Sequence, residues 1–219
     1  MSHDDFATEP VPGLPETPPE GERILWQGAP DWRSLLWRAF ALRWVLVYFA
    51  ALAAWRAAEM LAEGATASAI GASVLALLPL VAAVAAVLGL IAWLTARSSV
   101  YTLTTKRVAM RVGMLTITFN IPYRWVSAAR LKLYGDGTGD IALATSGETR
   151  LAYLMLWPHA RPWRFGKPEP ALRAVPDAGH VAELLAQALR ELHGQTEAAE
   201  TAPAPSPETA PAPALVAAE

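Results

Sequence analysis

The hydrophobic pattern divides the chain into stretches of different period. Residues 70–94 (IGASVLALLPLVAAVAAVLGLIAWL) run 25 residues without one charged side chain. A helix of that length spans roughly 37 Å, more than the ~30 Å hydrocarbon core of a bilayer. Pro79 is compatible with such a span where neighbouring groups satisfy the freed carbonyl. The small residues Ala82, Ala83, Ala85, Ala86 and Gly89 permit close approach of a second helix. Residues 44–61 predict that second helix. Arg56 and Glu59 stand three apart near its far end, on one face, where they pair or reach back to the interface. Residues 62–69, with Gly64, are short enough to fold the two into an antiparallel hairpin covering 44–95.

On either side of the hairpin the pattern reads differently. Residues 24–28 (ILWQG) predict a short strand ending in a turn at Ala29-Pro30, and Asp31 caps a helix that runs on into the hairpin, with residues 23–43 forming either an interfacial segment or a helix start packed on its own domain. After the hairpin, apolar residues alternate over 98–104, 107–112, 115–121, 126–134, 140–145 and 149–154. These are six short strands at roughly ten-residue spacing, the signature of an antiparallel meander that curls on itself. Residues 156–176 are interrupted by prolines and predict irregular chain. Residues 177–193 predict a helix capped by Asp177, with Val181, Leu184, Leu185, Ala188, Leu189 and Leu192 on one face. The expected fold is an α+β membrane protein: a two-helix transmembrane hairpin plus an antiparallel β-barrel or sandwich over 97–193, closed by a C-terminal amphipathic helix. Residues 1–22 and 194–219, rich in Pro, Ala and Glu, predict disordered ends. Phe6, Val11 and Leu14 are able to dock as an extended strip.

Charge adds an orientation. The net charge of −2 hides an uneven distribution: residues 1–22 carry six acids and residues 194–219 four, and all 18 Lys and Arg lie between them. Arg33, Arg38 and Arg43 precede the hairpin, and Arg97, Lys106, Arg107 and Arg111 follow it. The positive-inside rule then places both termini in the cytoplasm and the chain in the cytoplasmic membrane. Trp37, Arg38, Arg43, Trp44, Trp93 and Arg97 are the expected interface residues. A basic body suits anionic lipids or an acidic protein. Nucleic acid is not expected, because no recognition motif accompanies the charge.

Little in the sequence calls for chemistry. Cysteine is absent, which excludes a disulfide framework and thiolate metal sites. The histidines at 3, 159, 180 and 193 form no ligand pair, and no serine sits in a nucleophile turn. The GDGTGD stretch at 135–140 lacks the ligand rhythm of a calcium loop and the lysine of a phosphate loop; it reads as a hairpin turn. No catalysis, cofactor or metal is expected. The stretch 157–165 (WPHARPWRF) combines tryptophan and arginine, the side chains that dominate binding hot spots, with prolines that preorganise them. Trp157, His159, Arg161, Trp163 and Arg164 are the candidate partner contacts, with Arg130 and Lys132 as flanking charge. Packing of this stretch over the end of its own domain is the competing reading.

Several separated motifs carry a resemblance. Glu22–Gly28 before the hairpin, then Tyr101-Thr102-Leu103-Thr104, Lys106-Arg107-Val108, Gly113, Ile121-Pro122-Tyr123 and Gly137-Thr138-Gly139-Asp140-Ile141 resemble the bacterial pleckstrin-homology (PH) pattern in order and spacing. MSHDDF at 1–6, PGLPE at 12–16, GDGTGDIAL at 135–143 and LWPHARPWRF at 156–165 resemble the PuhB-type photosynthetic complex assembly family of purple bacteria. That resemblance implies a PH-like domain and a non-enzymatic factor that helps build the photosynthetic reaction centre. It also implies the reaction-centre H subunit as partner, and self-association as a dimer. The tail after His193 falls outside it. A chlorophyll magnesium on His159 is a further reading in that setting, against the more usual role of a loop histidine as a hydrogen-bonder. The competing function is a lipid-headgroup sensor built from Arg107, Arg111, Arg124, Arg130 and Lys132, although alternation places some of these on opposite faces.

Overall fold

The computed structural model describes residue 14 and residues 17–112, 117–146, 153–162, 164 and 166–201. The elements in order are β1 (Ile24–Gly28), α1 (Trp32–Arg38), α2 (Leu42–Ala62), α3 (Ala67–Leu75), α4 (Leu78–Ser98), β2 (Val100–Thr104), β3 (Arg107–Val112) and β4 (Ile117–Pro122). A single 3-10 turn (Tyr123–Trp125) leads to β5 (Val126–Leu133), β6 (Gly139–Thr145), α5 (Tyr153–Leu156), β7 (Ala171–Val175) and α6 (Ala178–Thr201).

Asp31 does cap a helix: its carboxylate accepts the Ser34 N–H at 2.7 Å. That helix is short, however. Ala41 takes a left-handed backbone with φ 54°, so α1 and α2 are separate helices rather than one running on. The turn lets α1 lie against other elements. Leu35, Leu36, Phe40 and Leu42 bury together with Ala92 of α4 and Ala174 of β7. The apolar run expected as one helix over 70–94 is also two, α3 and α4, joined at Ala76 and Leu77. Pro79 is the reason. It has no N–H to donate, and its ring crowds the carbonyl four residues back, which belongs to Leu75, the last residue of α3. The segments Leu42–Ala62 and Ala67–Ser98 are long and apolar enough to cross a membrane. Their most apolar windows are not buried in the protein, and Val47, Tyr48, Leu52, Leu75, Leu80 and Leu90 are exposed. Arg56 and Glu59 pair on one face of α2 at 3.9 Å.

The strands form two antiparallel sheets, β1-β2-β3-β4 and β5-β6-β7, rather than a closed barrel. In the first, Gly28 stands opposite Tyr101 and Gln27 opposite Thr102, so β1 pairs with β2 across the whole helical insertion. The segment expected as a separate interfacial piece therefore supplies an edge strand of the β-domain. Between the sheets lie Tyr101, Leu103, Met110, Ile121, Tyr123, Ile141, Leu143 and Leu172, all at most 3% exposed. Val181, Leu185 and Ala188 of α6 close this core, as the helical stripe predicts.

Three further expectations need correction. β7 falls inside the stretch read as irregular; the prolines at 168, 170 and 176 bracket a strand that needs only five residues. Of the strand expected over 149–154, residues 149–152 lie outside the described residues, and Tyr153 and Leu154 begin the helical turn α5. The bound of the last helix moves by one residue: α6 begins at Ala178, while Asp177, left-handed at φ 49°, stands at the cap position and its carbonyl accepts the Val181 N–H at 3.3 Å. The chain ends also differ. Leu14 is fully buried in a β-bridge, while Phe6 and Val11 lie outside the described residues. The buried Glu22 carboxylate accepts from Thr104 Oγ1 at 2.7 Å and pairs with Arg107 at 2.8 Å. α6 continues to Thr201, eight residues past His193, because Glu197-Ala198-Ala199-Glu200 favours helix. Residues 202–219 lie outside the described residues.

At Gly139 the start of α6 comes close to the second sheet. A methyl group there would stand 2.7 Å from Ala178 Cβ and 2.8 Å from the Lys132 carbonyl oxygen. Gly139→Ala is expected to cost about 1–3 kcal/mol by overpacking. Gly135→Ala, where a methyl group meets nothing within 4 Å, serves as control. Thermal unfolding of the detergent-solubilised full chain checks both.

Candidate functional site

A buried polar network ties the helical insertion to the β-domain. Its first member, Ser99, follows α4 directly, and its hydroxyl lies 3.2 Å from His159 Nε2. The other imidazole nitrogen shares a 2.5 Å hydrogen bond with the Tyr101 hydroxyl. That phenol oxygen in turn accepts the Arg173 N–H at 3.2 Å. The Arg173 side chain, 5% exposed, donates to the Ala160 carbonyl at 3.2 Å and pairs with Asp140 at 2.9 Å. Asp140 accepts the Tyr134 hydroxyl at 2.7 Å and the Ala174 N–H at 2.9 Å. Ala174, left-handed at φ 53°, passes the chain of bonds on, because its carbonyl accepts the Asp31 N–H ahead of α1 at 2.8 Å.

The GDGTGD turn completes the network from the other side. Gly137 adopts φ 78°, and Tyr134 N–H reaches the Thr138 carbonyl at 2.9 Å. Arg38 at the end of α1 pairs with Asp136 and donates to Thr138 Oγ1, each at 3.0 Å, and also donates to Ser34 Oγ. Its guanidinium lies 3.7 Å from the centroid of the Tyr134 ring. Protonation follows from these contacts. Burial, helped by the charge of Arg173, holds His159 down to about 3, so it is neutral. Hydrogen bonds from Thr138 and Arg38 hold Asp136 at about 2. Burial and the hydrogen bond to Asp140 push Tyr134 up to about 12, and burial raises Tyr101 as well.

Beside this network opens a cleft of about 900 Å³ between the start of α2 and the face of β5-β6-β7 turned away from α6. Alternation along β5 favours that face: Arg130, Lys132 and Tyr134 line the cleft, Leu131 reaches its rim, and Ala129 and Leu131 line a second, smaller cavity with Leu185 and Ala182 of α6. Arg43 and Trp44 of α2, together with Trp157, form the opposite wall. Near the cleft, Glu169 gathers three arginines: Arg161 at 2.8 Å, Arg130 at 3.5 Å and Arg164 at 3.6 Å. Burial raises its pKa, but the hydrogen bond from Arg161 and the charges of Arg161, Arg164 and Arg130 outweigh it and keep it a carboxylate.

The structure sorts the expected contact residues. Trp157 is 48% exposed and packs edge-on against Phe40, with ring centroids 5.2 Å apart. Arg130, Arg161 and Arg164 converge on Glu169, and Lys132 stands 5.5 Å from the Tyr134 ring centroid. Trp163 lies outside the described residues. His159 departs from its expected place on the surface: at 1% exposure it is a core hydrogen-bonder. Arg38 departs from the expected interface set, because the turn after α1 aims it at Asp136. Trp37, Trp44 and Trp93 are exposed, with Arg43 over Trp44 and Arg97 over Trp93, each 5.6 Å from the ring centroid. The five-residue headgroup pocket is not assembled as expected. Arg107 is held by Glu22, Arg111 is buried on β3, and Arg124 lies over Trp125; Arg130 and Lys132 share the cleft. Sequence reasoning missed Tyr134, Asp140, Glu169 and Arg173. The first two flank a turn recognised as such, so their opposed positions were within reach. Arg173 was hidden with β7.

Two packed antiparallel sheets closed by a C-terminal helix, with an apolar helical insertion after the first strand, define a PH-like domain carrying two candidate membrane spans. The chain belongs to the bacterial PH domain family, whose profile matches residues 35–189 and so includes the helical insertion. It is similar to a Rhodobacter capsulatus protein described as an uncharacterized 23.7 kDa protein in the puhA 5′ region. The two are 42% identical over 190 residues, covering 86% of this chain and 89% of the relative. No solved structure matches the chain.

Two outcomes test the network. Arg173→Met leaves the partly buried Asp140 without its cation and is expected to lower stability by about 3 kcal/mol, measured by denaturant unfolding in detergent. His159 stays neutral in the folded protein down to about 3, whereas the unfolded chain takes up a proton near 6.5. Its contribution is therefore fully present above about 6.5 and is lost progressively as pH falls toward 3. The unfolding midpoint is expected to drop between pH 8 and pH 5, with a smaller drop in His159→Gln.

Proposed function

We propose that the chain is a non-enzymatic, membrane-anchored assembly factor for the photosynthetic reaction centre. In this reading α2 and α3–α4 cross the cytoplasmic membrane, both termini are cytoplasmic, and the β-domain holds a reaction-centre subunit, the H subunit, while the complex forms. The observation that carries the reading is the 42% identical relative, whose gene lies in the puhA 5′ region. It agrees with the motif resemblance to the PuhB-type family. Physical support comes from the exposed apolar surface of the helices, which is unfavourable in water over so large an area. Confinement to a membrane raises effective concentration, so a modest contact suffices to hold a partner. The exposed Trp157, with Arg161 and Arg164 beside it, supplies the contact, and the chain acts as a dimer.

The test is a mild-detergent pull-down of the tagged full chain from phototrophically grown membranes, read by mass spectrometry and an absorbance scan. Enrichment of reaction-centre subunits over an untagged control is the expected result; bait and lipid alone would overturn the reading. Trp157→Ala is expected to reduce capture by about tenfold, in the range of a hot-spot truncation, while the protein stays in membranes.

A further inference from the structure

We propose that the outer edge of β5 is a strand-docking site and that the chain's own residues 4–9 (DDFATE) occupy it, with Phe6 seated between β5 and α6. The edge is the first ground. β5 is eight residues long and stands at the end of its sheet, and among the described residues no strand pairs with its outer side. Two bonds fix which backbone groups face outward. Leu143, opposite Ala129, donates its N–H away from β5 to the Pro170 carbonyl, and Tyr134 donates inward to the Thr138 carbonyl. In an antiparallel ladder the N–H and C=O of one residue share a side, and the side alternates along the strand. Ala129, Leu131 and Leu133 therefore turn both groups outward. Such an edge is a template for another strand.

The groove beside the edge is the second ground. The same three residues stand opposite Leu143, Ile141 and Gly139, so their side chains share the face that packs toward α6. Ala129 and Leu131 line a cavity of about 380 Å³ with Ala182, Leu185 and Leu189 of α6. Leu131 is 42% exposed and Leu133 56%. An added strand would gain main-chain bonds along the edge and place alternate side chains in the groove.

Charge and route select the occupant. The other face of β5 carries Arg130 and Lys132, both exposed, and Arg130 shares Glu169 with two further arginines. Two copies of β5 paired over the regular part of the strand would set Arg130 against Arg130 or against Lys132, which is unfavourable. An acidic strand without proline at the bonding positions fits instead. Residues 1–22 carry six acids and no Lys or Arg, and their first proline is Pro10. With Phe6 set antiparallel opposite Leu131, Thr8 faces Ala129 and Asp4 faces Leu133. Asp5 then lies opposite Lys132, and Glu9 is diagonal to Arg130. Pro10 falls at the irregularity between Val126 and Ala128, where the regular ladder stops. The route is set by fixed points downstream. Leu14 is fully buried in a β-bridge. Glu22 pairs with Arg107, whose neighbour Lys106 accepts the Tyr123 N–H just ahead of β5. The 13 residues from Glu22 back to Glu9 span roughly 43 Å when extended, enough to reach the start of β5 and run along it in the antiparallel sense. The inference depends on neither the membrane placement nor the assembly role.

The test uses the full chain in a neutral detergent. The chain has no cysteine, so Ala7→Cys with Arg130→Cys introduces one pair of thiols. These positions form a non-hydrogen-bonded pair, with Cα atoms about 4.5 Å apart and within disulfide reach. Mild oxidation is expected to close an intramolecular disulfide in most molecules, read as a mobility shift without reductant. Thr8→Cys with Arg130→Cys, on opposite faces, is expected to cross-link far less. Hydrogen exchange gives a readout without new thiols. Amides of the 128–134 peptide are expected to exchange about tenfold faster in Phe6→Ser, as loss of one buried aromatic side chain implies, with the unfolding temperature unchanged. A disulfide joining two chains would give the edge to a second copy and overturn the proposal. Equal cross-linking of the two thiol pairs would overturn it as well. So would unchanged exchange in Phe6→Ser, which would leave the edge to a strand from another protein.

Discussion

The structure depends most on the Asp140 carboxylate. It lies where β5, β6 and β7 meet, and it binds three groups at once: the Arg173 guanidinium, the Tyr134 hydroxyl and the Ala174 N–H. A buried ion pair adds little net stability over a well-packed apolar substitute, but breaking it strands a charge. Its weight here is geometric. Alternative registers of β7 against β6 would separate Arg173 from Asp140. The left-handed Ala174 would also lose the bond that offsets its backbone strain.

From this point the two hydrophobic clusters become one mechanical unit. The larger fills the space between the sheets and α6; the smaller lies between α1, the start of α2, α4 and Ala174. Ala174 belongs to the second cluster while its neighbours Leu172 and Val175 belong to the first. Helix α1 is thus wedged between insertion and sheet, with Arg38 locking its end to the GDGTGD turn. Ser99, His159 and Tyr101 make a second tie at the other end of the insertion. With both ends fixed, the cleft beside α2 has walls from both parts.

Where one short-range rule dominates, the sequence was informative. The uncharged run at 70–94, the alternation of β2 to β6 and the stripe of α6 each follow a period that local chemistry imposes. The breaks were harder. Pro79 was tolerated in principle, but the joint before it follows from a clash with one particular carbonyl. Ala41 carries no sign of its left-handed backbone, because packing of α1 selects it. β7 is too short, and too closely flanked by proline, to show a period. At the site, alternation does place Arg130 and Lys132 together. His159 was misplaced because a histidine between prolines looks like surface chain, and its burial depends on Ser99 and Tyr101, some sixty residues away.

The pairing of β1 with β2 bears on how the chain is made. Gly28 leaves the ribosome long before Tyr101, and the two meet only after the whole helical insertion has been made and its ends brought together. Should those helices be threaded through a bilayer, an insertion that left one of them behind would strand β1 across the membrane from its partner. The four-stranded sheet could not close. In that case the strand ahead of the insertion would proofread topology: completion of the β-domain would report that both helices had been threaded correctly.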